Sequence, residues 1–195
     1  KCSKPIEQEE DEYCRDCQGK KYSYTYGYSL WLYEKDVKNS IIKFKYYYKK
    51  EYADYYTDEI IRHLGEKIIR IAPDIIAPVP IHWSKLRQRG YNQAEVLSRK
   101  LGEAMGFTVV SDLLIRNKKT LPQKQLSNKE RFRNLQEAFE INYQAYSKLT
   151  DKLDTVLLID DIYTTGSTIE ACTRILKKHG INKVYFITLC ISKGY

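Results

Sequence analysis

Thr155–Thr168 reads T-V-L-L-I-D-D-I-Y-T-T-G-S-T. The apolar run Val156–Ile159 does not alternate with polar residues, which predicts a strand buried on both faces, as in a parallel sheet. Two adjacent carboxylates, Asp160 and Asp161, end that run. Thr164, Thr165, Gly166, Ser167 and Thr168 follow, and then a helical spacing of Ile169, Cys172, Ile175 and Leu176. Strand, loop and helix in that order place the loop at the carboxyl end of a parallel sheet, where ligands sit in such folds. The loop N–H groups and the positive end of the next helix suit a phosphate. Gly166 permits close backbone approach, and the neighbouring hydroxyls add donors. Carboxylates repel a phosphate, so Asp160 and Asp161 are expected to face sugar hydroxyls or a divalent cation.

This stretch resembles the 5-phosphoribosyl-1-pyrophosphate (PRPP) motif of type I phosphoribosyltransferases. The resemblance implies that Asp160 and Asp161 hold the ribose and the water of a bound Mg²⁺. It also implies that Thr164, Thr165, Gly166, Ser167 and Thr168 wrap the 5′-phosphate. A motif of this length is far more specific than a lone glycine pattern.

The chain has 195 residues, 43% of them hydrophobic, which suffices for one core domain with a small appendage. Its formal net charge is +8 and its pI about 9.1, a balance that permits contact with nucleic acid or another polyanion. No stretch of eighteen apolar residues and no secretory leader is visible, so membrane insertion is not expected and the cytoplasm is the expected location. Five cysteines, three near the start and two in apolar patterns, fit a reducing compartment better than a disulfide framework.

Cys14-Arg15-Asp16-Cys17 is a C-x₂-C knuckle, with Cys2 twelve residues upstream of Cys14. Zinc takes four soft ligands, commonly from two such pairs. Cys2, Cys14 and Cys17 supply three. The fourth is expected before Lys1; otherwise the site is broken, or the knuckle is a redox pair. The favoured reading is a structural zinc ribbon over residues 1–21, followed by a single domain over 22–195.

Tyr22, Tyr24, Tyr26 and Tyr28 alternate with small residues, which predicts a strand with its rings on one face, available to stack a base. Val37–Tyr48 predicts an amphipathic helix with a basic outer face, and Tyr52–Arg70 a second helix. Lys43 and Lys45, interleaved with aromatics, are candidates for contact with single-stranded nucleic acid. Ile75–Ile81 predicts a short strand stopped by prolines. Arg87 and Arg89 precede a glycine turn and read as an anion clamp, with Asn92 or a neighbour starting the next helix. Leu113–Ile115, Ala138–Ile141 and Lys183–Ile191 are further strands. Between the first two, Arg116–Arg133 carries Lys118, Lys119, Lys124 and Arg131 and reads as a mobile basic lid over pyrophosphate and nucleic acid.

The order of parts then narrows the resemblance. It runs from the cysteine knuckle through K-F-K-Y at Lys43–Tyr46 and P-V-P-I with R-x-R-G-Y-N-Q-A-E at Arg87–Glu95. Q-x-x-L-S-N-K-E-R-x-x-N at Gln123–Asn134, Ala138-Phe139 and the acidic loop complete it. The chain is similar to the ComF (ComFC) competence protein family over nearly its whole length, and departs from it in the incomplete first zinc knuckle. The resemblance implies a type I phosphoribosyltransferase fold, a parallel α/β sheet flanked by helices, with an N-terminal zinc finger. It implies a cytoplasmic role in natural transformation, with PRPP, single-stranded DNA and a ComFA-type helicase ATPase as partners. Transfer of phosphoribosyl to a nucleobase-like acceptor is the alternative. Against purine chemistry, purine-salvage relatives place an aspartate where this chain has Thr164.

Overall fold

The computed structural model of the protein describes residues 1–6, 8, 10–117, 138–149 and 153–193. Strands β1 (Tyr26–Leu32), β2 (Ile75–Pro78), β5 (Thr155–Tyr163) and β6 (Lys183–Ile191) form a parallel sheet in the order β1-β6-β5-β2. Val109 bridges Ile76 beyond β2. Strands β3 (Leu114–Arg116) and β4 (Phe139–Ile141) make a separate antiparallel pair. The helices are α1 (Arg15–Gly19), α2 (Lys35–Tyr46), α3 (Tyr52–Ile71), α4 (Trp83–Arg89), α5 (Gln93–Met105), α6 (Tyr143–Tyr146) and α7 (Ser167–Lys178).

Both faces of the sheet are covered, as the unalternating β5 run requires. On one face Leu157, Ile159, Ile187 and Leu189 pack against Ile41 and Phe44 of α2, Tyr56, Ile60, Leu64 and Ile68 of α3, and Leu97 and Leu101 of α5. The four-residue spacing of the α3 set is one stripe of a helix. On the other face Val156, Leu158, Val184 and Phe186 pack against Ile169, Cys172 and Leu176 of α7, and against Cys2, Cys14, Tyr22 and Tyr24. The N-terminal cysteines thus share a core with the sheet. Asn92 caps α5 by accepting from the Ala94 N–H and donates to the Val79 carbonyl, so one side chain fixes both the β2 exit and the helix start.

The side-chain alternation breaks at one rung across three strands. Leu30 and Trp31, Leu189 and Cys190, and Asp161 and Ile162 lie on successive positions of β1, β6 and β5. All but Asp161 pack with the α2–α3–α5 face, and Leu32, Ile191 and Tyr163 then turn to the other. The ladder pairs Trp31, Cys190 and Ile162 across the sheet but skips the rung before them. The Thr188 hydroxyl donates to the Cys190 carbonyl at this break.

Two expectations are corrected. β5 continues through both aspartates to Tyr163 rather than ending at Ile159. The tyrosine-rich strand begins at Tyr26, not Tyr22. Pairing with β6 opens only where the Thr25 N–H donates to the Val184 carbonyl, and Tyr22 and Tyr24 lie buried beneath the loop that follows β5. They are not available to stack a base.

Gly27 sits where no side chain fits, since a Cβ there would lie 1.9 Å from the Phe186 ring. That ring is locked between Tyr163, stacked at 5.0 Å, and Tyr24, edge-on at 5.0 Å. Gly27→Ala is therefore expected to lower stability by about 1–3 kcal/mol through overpacking, read from the urea midpoint at unchanged slope.

Candidate ribose-phosphate site

The site assembles at the carboxyl end of β5. Asp160 follows the parity of Val156 and Leu158 and faces the α7 side, while Asp161 faces α2. The Asp161 N–H donates to the Asp160 carboxylate at 2.8 Å. The Lys45 ammonium, arriving from α2, pairs with Asp161 at 2.8 Å, and both side chains are largely buried. Burial, and then the neighbouring Asp161 charge, raise the Asp160 pKa above the ordinary carboxylate range; the Asp161 N–H, Lys45 and Arg116 act in the opposite direction.

Lys45 and Arg116 act on this pair, and further cations lie beside those two. Lys85 and Arg89 stand one turn apart on α4, and Arg116 ends β3. Burial lowers the Lys85 pKa, and the nearby Arg89, Arg116 and Lys45 lower it further. Arg89 is buried, donating to Gln93 at 3.1 Å and to the Tyr46 hydroxyl at 3.0 Å. Its Nε has no partner among the described residues. A cluster of like charges at the end of a parallel sheet suits a polyanion, and the two carboxylates suit a hard cation or sugar hydroxyls.

The loop after β5 is carried by Tyr163. Gly166 has φ 73°, and a Cβ there would lie 2.2 Å from the Tyr163 hydroxyl, so both the conformation and the contact demand glycine. Gly166 leads into α7, whose first N–H groups are free of intrahelical partners by geometry. The Thr165 and Ser167 hydroxyls lie 2.9 Å apart beside them. Thr164 is exposed at the same turn, and Thr168 opens α7 with Ser167. Together these residues are the candidate anion cradle.

The structure separates some residues that the sequence suggested would act together. Arg87 lies two residues before Arg89 on α4 and is exposed, while Arg89 is buried. Lys43 and Lys45 likewise diverge: Lys43 lines a cleft with Asn39, Tyr47 and Tyr52, whereas Lys45 meets Asp161. Lys118, Lys119, Lys124 and Arg131 lie outside the described residues. Sequence reasoning missed Lys85 and Arg116 as site residues. The four-residue spacing of Lys85 and Arg89 was the available signal for the first; nothing local marked the second. Beside the site, Tyr47, Tyr48 and Trp83 are 66%, 62% and 62% exposed, and the Tyr48 hydroxyl reaches the Gln88 carbonyl of α4 at 3.4 Å.

Residues 59–194 match the family model described as phosphoribosyl transferase domain. The chain belongs to this family. It is 37% identical over 112 residues to "Competence protein F" of Haemophilus influenzae, covering 57% of this chain and 48% of that protein. It is 30% identical over 118 residues to "DNA utilization protein YhgH" of Escherichia coli K12, covering 60% and 49%. "Competence protein ComFC" of Streptococcus pneumoniae is 27% identical over 185 residues, 90% of this chain and 74% of that protein. The chain is thus similar to proteins named for competence and DNA utilization. It spans about half the length of the first two.

At the other end of the same core, the Cys2, Cys14 and Cys17 sulfurs all lie within 4.8 Å of one another, with Cys2 and Cys14 at 3.4 Å. The edge of a tetrahedron with Zn–S bonds near 2.3 Å is about 3.8 Å, so three thiolates at this spacing fit one face of a zinc site. Among the described residues no other cluster of this kind occurs, and no helix is long and apolar enough to cross a membrane.

A raised carboxyl pKa gives a sign for stability. The folded state holds the Asp160 proton more tightly than the unfolded chain does. Its contribution is full below the ordinary carboxylate range and is lost as pH rises through the raised value. In the absence of divalent cations, Asp160→Asn is expected to match the wild type near pH 4 and to melt higher at pH 8. The gain is about 2–4 °C for each kcal/mol recovered. Thermal melts across that range check it; equal melting at pH 8 would mean the charge costs nothing.

Proposed function

We propose that this chain is a PRPP-binding protein of the DNA-uptake machinery, acting in the cytoplasm with single-stranded DNA and a ComFA-type helicase ATPase as partners. The observation that carries it is the acidic pair near the end of β5, met by Lys45 and Arg116 with Lys85 and Arg89 beside those cations, and running into the Thr164–Thr168 loop. Asp160 and Asp161 hold the ribose hydroxyls, the cradle holds the 5′-phosphate, and Arg89 with Lys85 meets the pyrophosphate. The paired carboxylates fit Mg²⁺, which screens pyrophosphate charge when bound. Competence enters from the relatives' names, "Competence protein F" and "Competence protein ComFC". The DNA surface is Lys43 with exposed Tyr47, Tyr48 and Trp83, where rings stack bases and lysine neutralises phosphates. Lys118, Lys119, Lys124 and Arg131 are further proposed nucleic-acid contacts.

A second reading, transfer of phosphoribosyl from PRPP to a nucleobase-like acceptor, is favoured by Asp160. A half-buried carboxyl with a raised pKa beside a second carboxylate is typical of sites that move protons. In that reading the residues position PRPP and stabilise the departing pyrophosphate, while the acceptor nitrogen displaces it at C1.

Calorimetric titration of PRPP with Mg²⁺ is expected to give saturable heat in the wild type and none in the Asp160→Ala/Asp161→Ala variant. No heat in the folded wild type would reduce the cradle to an inherited scaffold. Pyrophosphate release that depends on one added acceptor would move the assignment to the transferase reading. For DNA, affinity for a single-stranded oligonucleotide is expected to fall linearly in log–log with salt. Tyr47→Ala/Tyr48→Ala is expected to cost about 1–3 kcal/mol per base stacked at each ring. Unchanged affinity in that variant would remove these rings from the DNA surface.

A further inference from the structure

The segment between the cysteines and β1 reaches the end of β5, the loop after it and the start of α7 at one point each. The Tyr22 hydroxyl donates to the Thr165 carbonyl at 2.9 Å. The Tyr24 and Tyr163 hydroxyls share a hydrogen bond at 2.8 Å, and Tyr163 is the residue on which Gly166 rests. Ser23 donates from its N–H and its hydroxyl to Glu170 in the first turn of α7, at 2.7 and 2.8 Å. Tyr22 stacks on Tyr24 at 5.0 Å, Tyr24 meets Phe186 edge-on, and Tyr163 stacks on Phe186. Cys2 and Cys14 are buried in the same core cluster as these rings. The Lys1 ammonium donates to the Tyr22 carbonyl at 2.8 Å, and the Gly27 N–H donates to the Lys1 carbonyl at 3.0 Å, so the strand of chain bearing Cys2 lies alongside the tyrosines.

We propose that the Cys2–Cys14–Cys17 centre is a positioning element for the Thr164–Thr168 anion cradle, acting through Tyr22 on Thr165 and through Tyr24 on Tyr163. A metal held by the three thiolates pins Cys2 and α1 together, and with them the Tyr22–Tyr24 pair. The pair in turn fixes the Thr165 carbonyl and the Gly166 backbone, so the cradle N–H groups are aimed before an anion arrives. Removing the metal would free Cys2 from Cys14 and Cys17 and let the cradle relax. Tyr22 is a positioning residue here; it touches the loop backbone and no ligand. The proposal rests on the cradle binding the PRPP 5′-phosphate, and its test includes a readout that does not depend on that reading.

That readout is amide hydrogen exchange of residues 164–170 in the full chain, zinc-loaded, chelator-stripped, and zinc-loaded Tyr22→Phe. Faster exchange at these amides is expected in both altered samples, and in Tyr22→Phe it is confined to them with zinc content unchanged. Tyr22→Phe keeps the buried ring and loses only the hydroxyl, so it remains informative should the stripped protein unfold. Unchanged exchange in Tyr22→Phe would overturn the proposal. PRPP titrations of the same samples are expected to show binding about 5- to 10-fold weaker than in the zinc-loaded wild type. Because coupling is reciprocal, PRPP is expected to raise zinc affinity by the same factor in competition with a chromophoric chelator, which a merely structural metal would not show. Equal zinc affinity with and without PRPP, in a protein that binds PRPP, also overturns it. Absence of PRPP binding in every sample would overturn the phosphate reading instead, and the exchange result would still decide the coupling.

Discussion

Asp160 and Asp161 lie within a strand whose preceding run is buried on both faces, and their charge has to be offset within a few ångströms. Desolvating a carboxylate costs several kcal/mol even after relaxation. Two in sequence would double that cost if they shared one environment. β5 divides them instead. Asp160 keeps the alternation of the strand and faces the α7 side, while the break at the next rung leaves Asp161 and Ile162 toward α2. Lys45 then answers Asp161, and Arg116 lies within electrostatic reach of Asp160. What is left over is a raised Asp160 pKa and a surplus of cations, Lys85 and Arg89 among them. A dication beside the carboxylates and a polyanion beside the cations would relieve both at once.

The loop beyond the carboxylates depends on a different constraint, close contact rather than charge. Tyr163 lies under Gly166 so tightly that no Cβ fits, and its ring is held by Phe186 and Tyr24. Three aromatic rings and a glycine hold one turn of backbone at the helix start. Fixing donors in advance avoids an ordering cost when an anion binds. This is also why the first tyrosines of the alternating run serve structure: rings buried against one another and hydrogen-bonded through their hydroxyls have no face left for a base.

Much of this was legible in the residues. The unalternating run of β5, the Asn92 cap, the α3 stripe and the full length of β6 follow from period and capping chemistry, and the acidic loop carries enough fixed chemistry to mark its family. Three kinds of information were not local. Strand ends depend on the partner: β5 reaches Tyr163 because β6 offers backbone as far as Ile191, although Asp160 and Asp161 look like a stop. Charge roles depend on what arrives from elsewhere, so Lys45, which reads as an outward cation, is an inward counter-ion. Helical spacing also outranks sequence proximity. Arg87 and Arg89 are neighbours in the chain and diverge on α4, whereas Lys85 and Arg89 converge.

Lys45 also bears on where the functional unit begins. The matched domain starts at residue 59, yet Lys45 completes the ion pair of Asp161, Tyr46 accepts from Arg89, and Tyr22 holds the Thr165 carbonyl. β1, at Tyr26–Leu32, supplies the sheet edge beside β6. Each contact brings a residue from outside the matched region onto one of its chemically decisive groups. Tyr22, Lys45, Tyr46 and β1 thus tie into the candidate site from outside the matched region. One helix end, α2, carries Lys45 inward to the acidic pair while Tyr47 and Tyr48 follow it onto the exposed surface. A ligand that shifts this helix end from outside bears on the same few residues that balance the charge of Asp161 within.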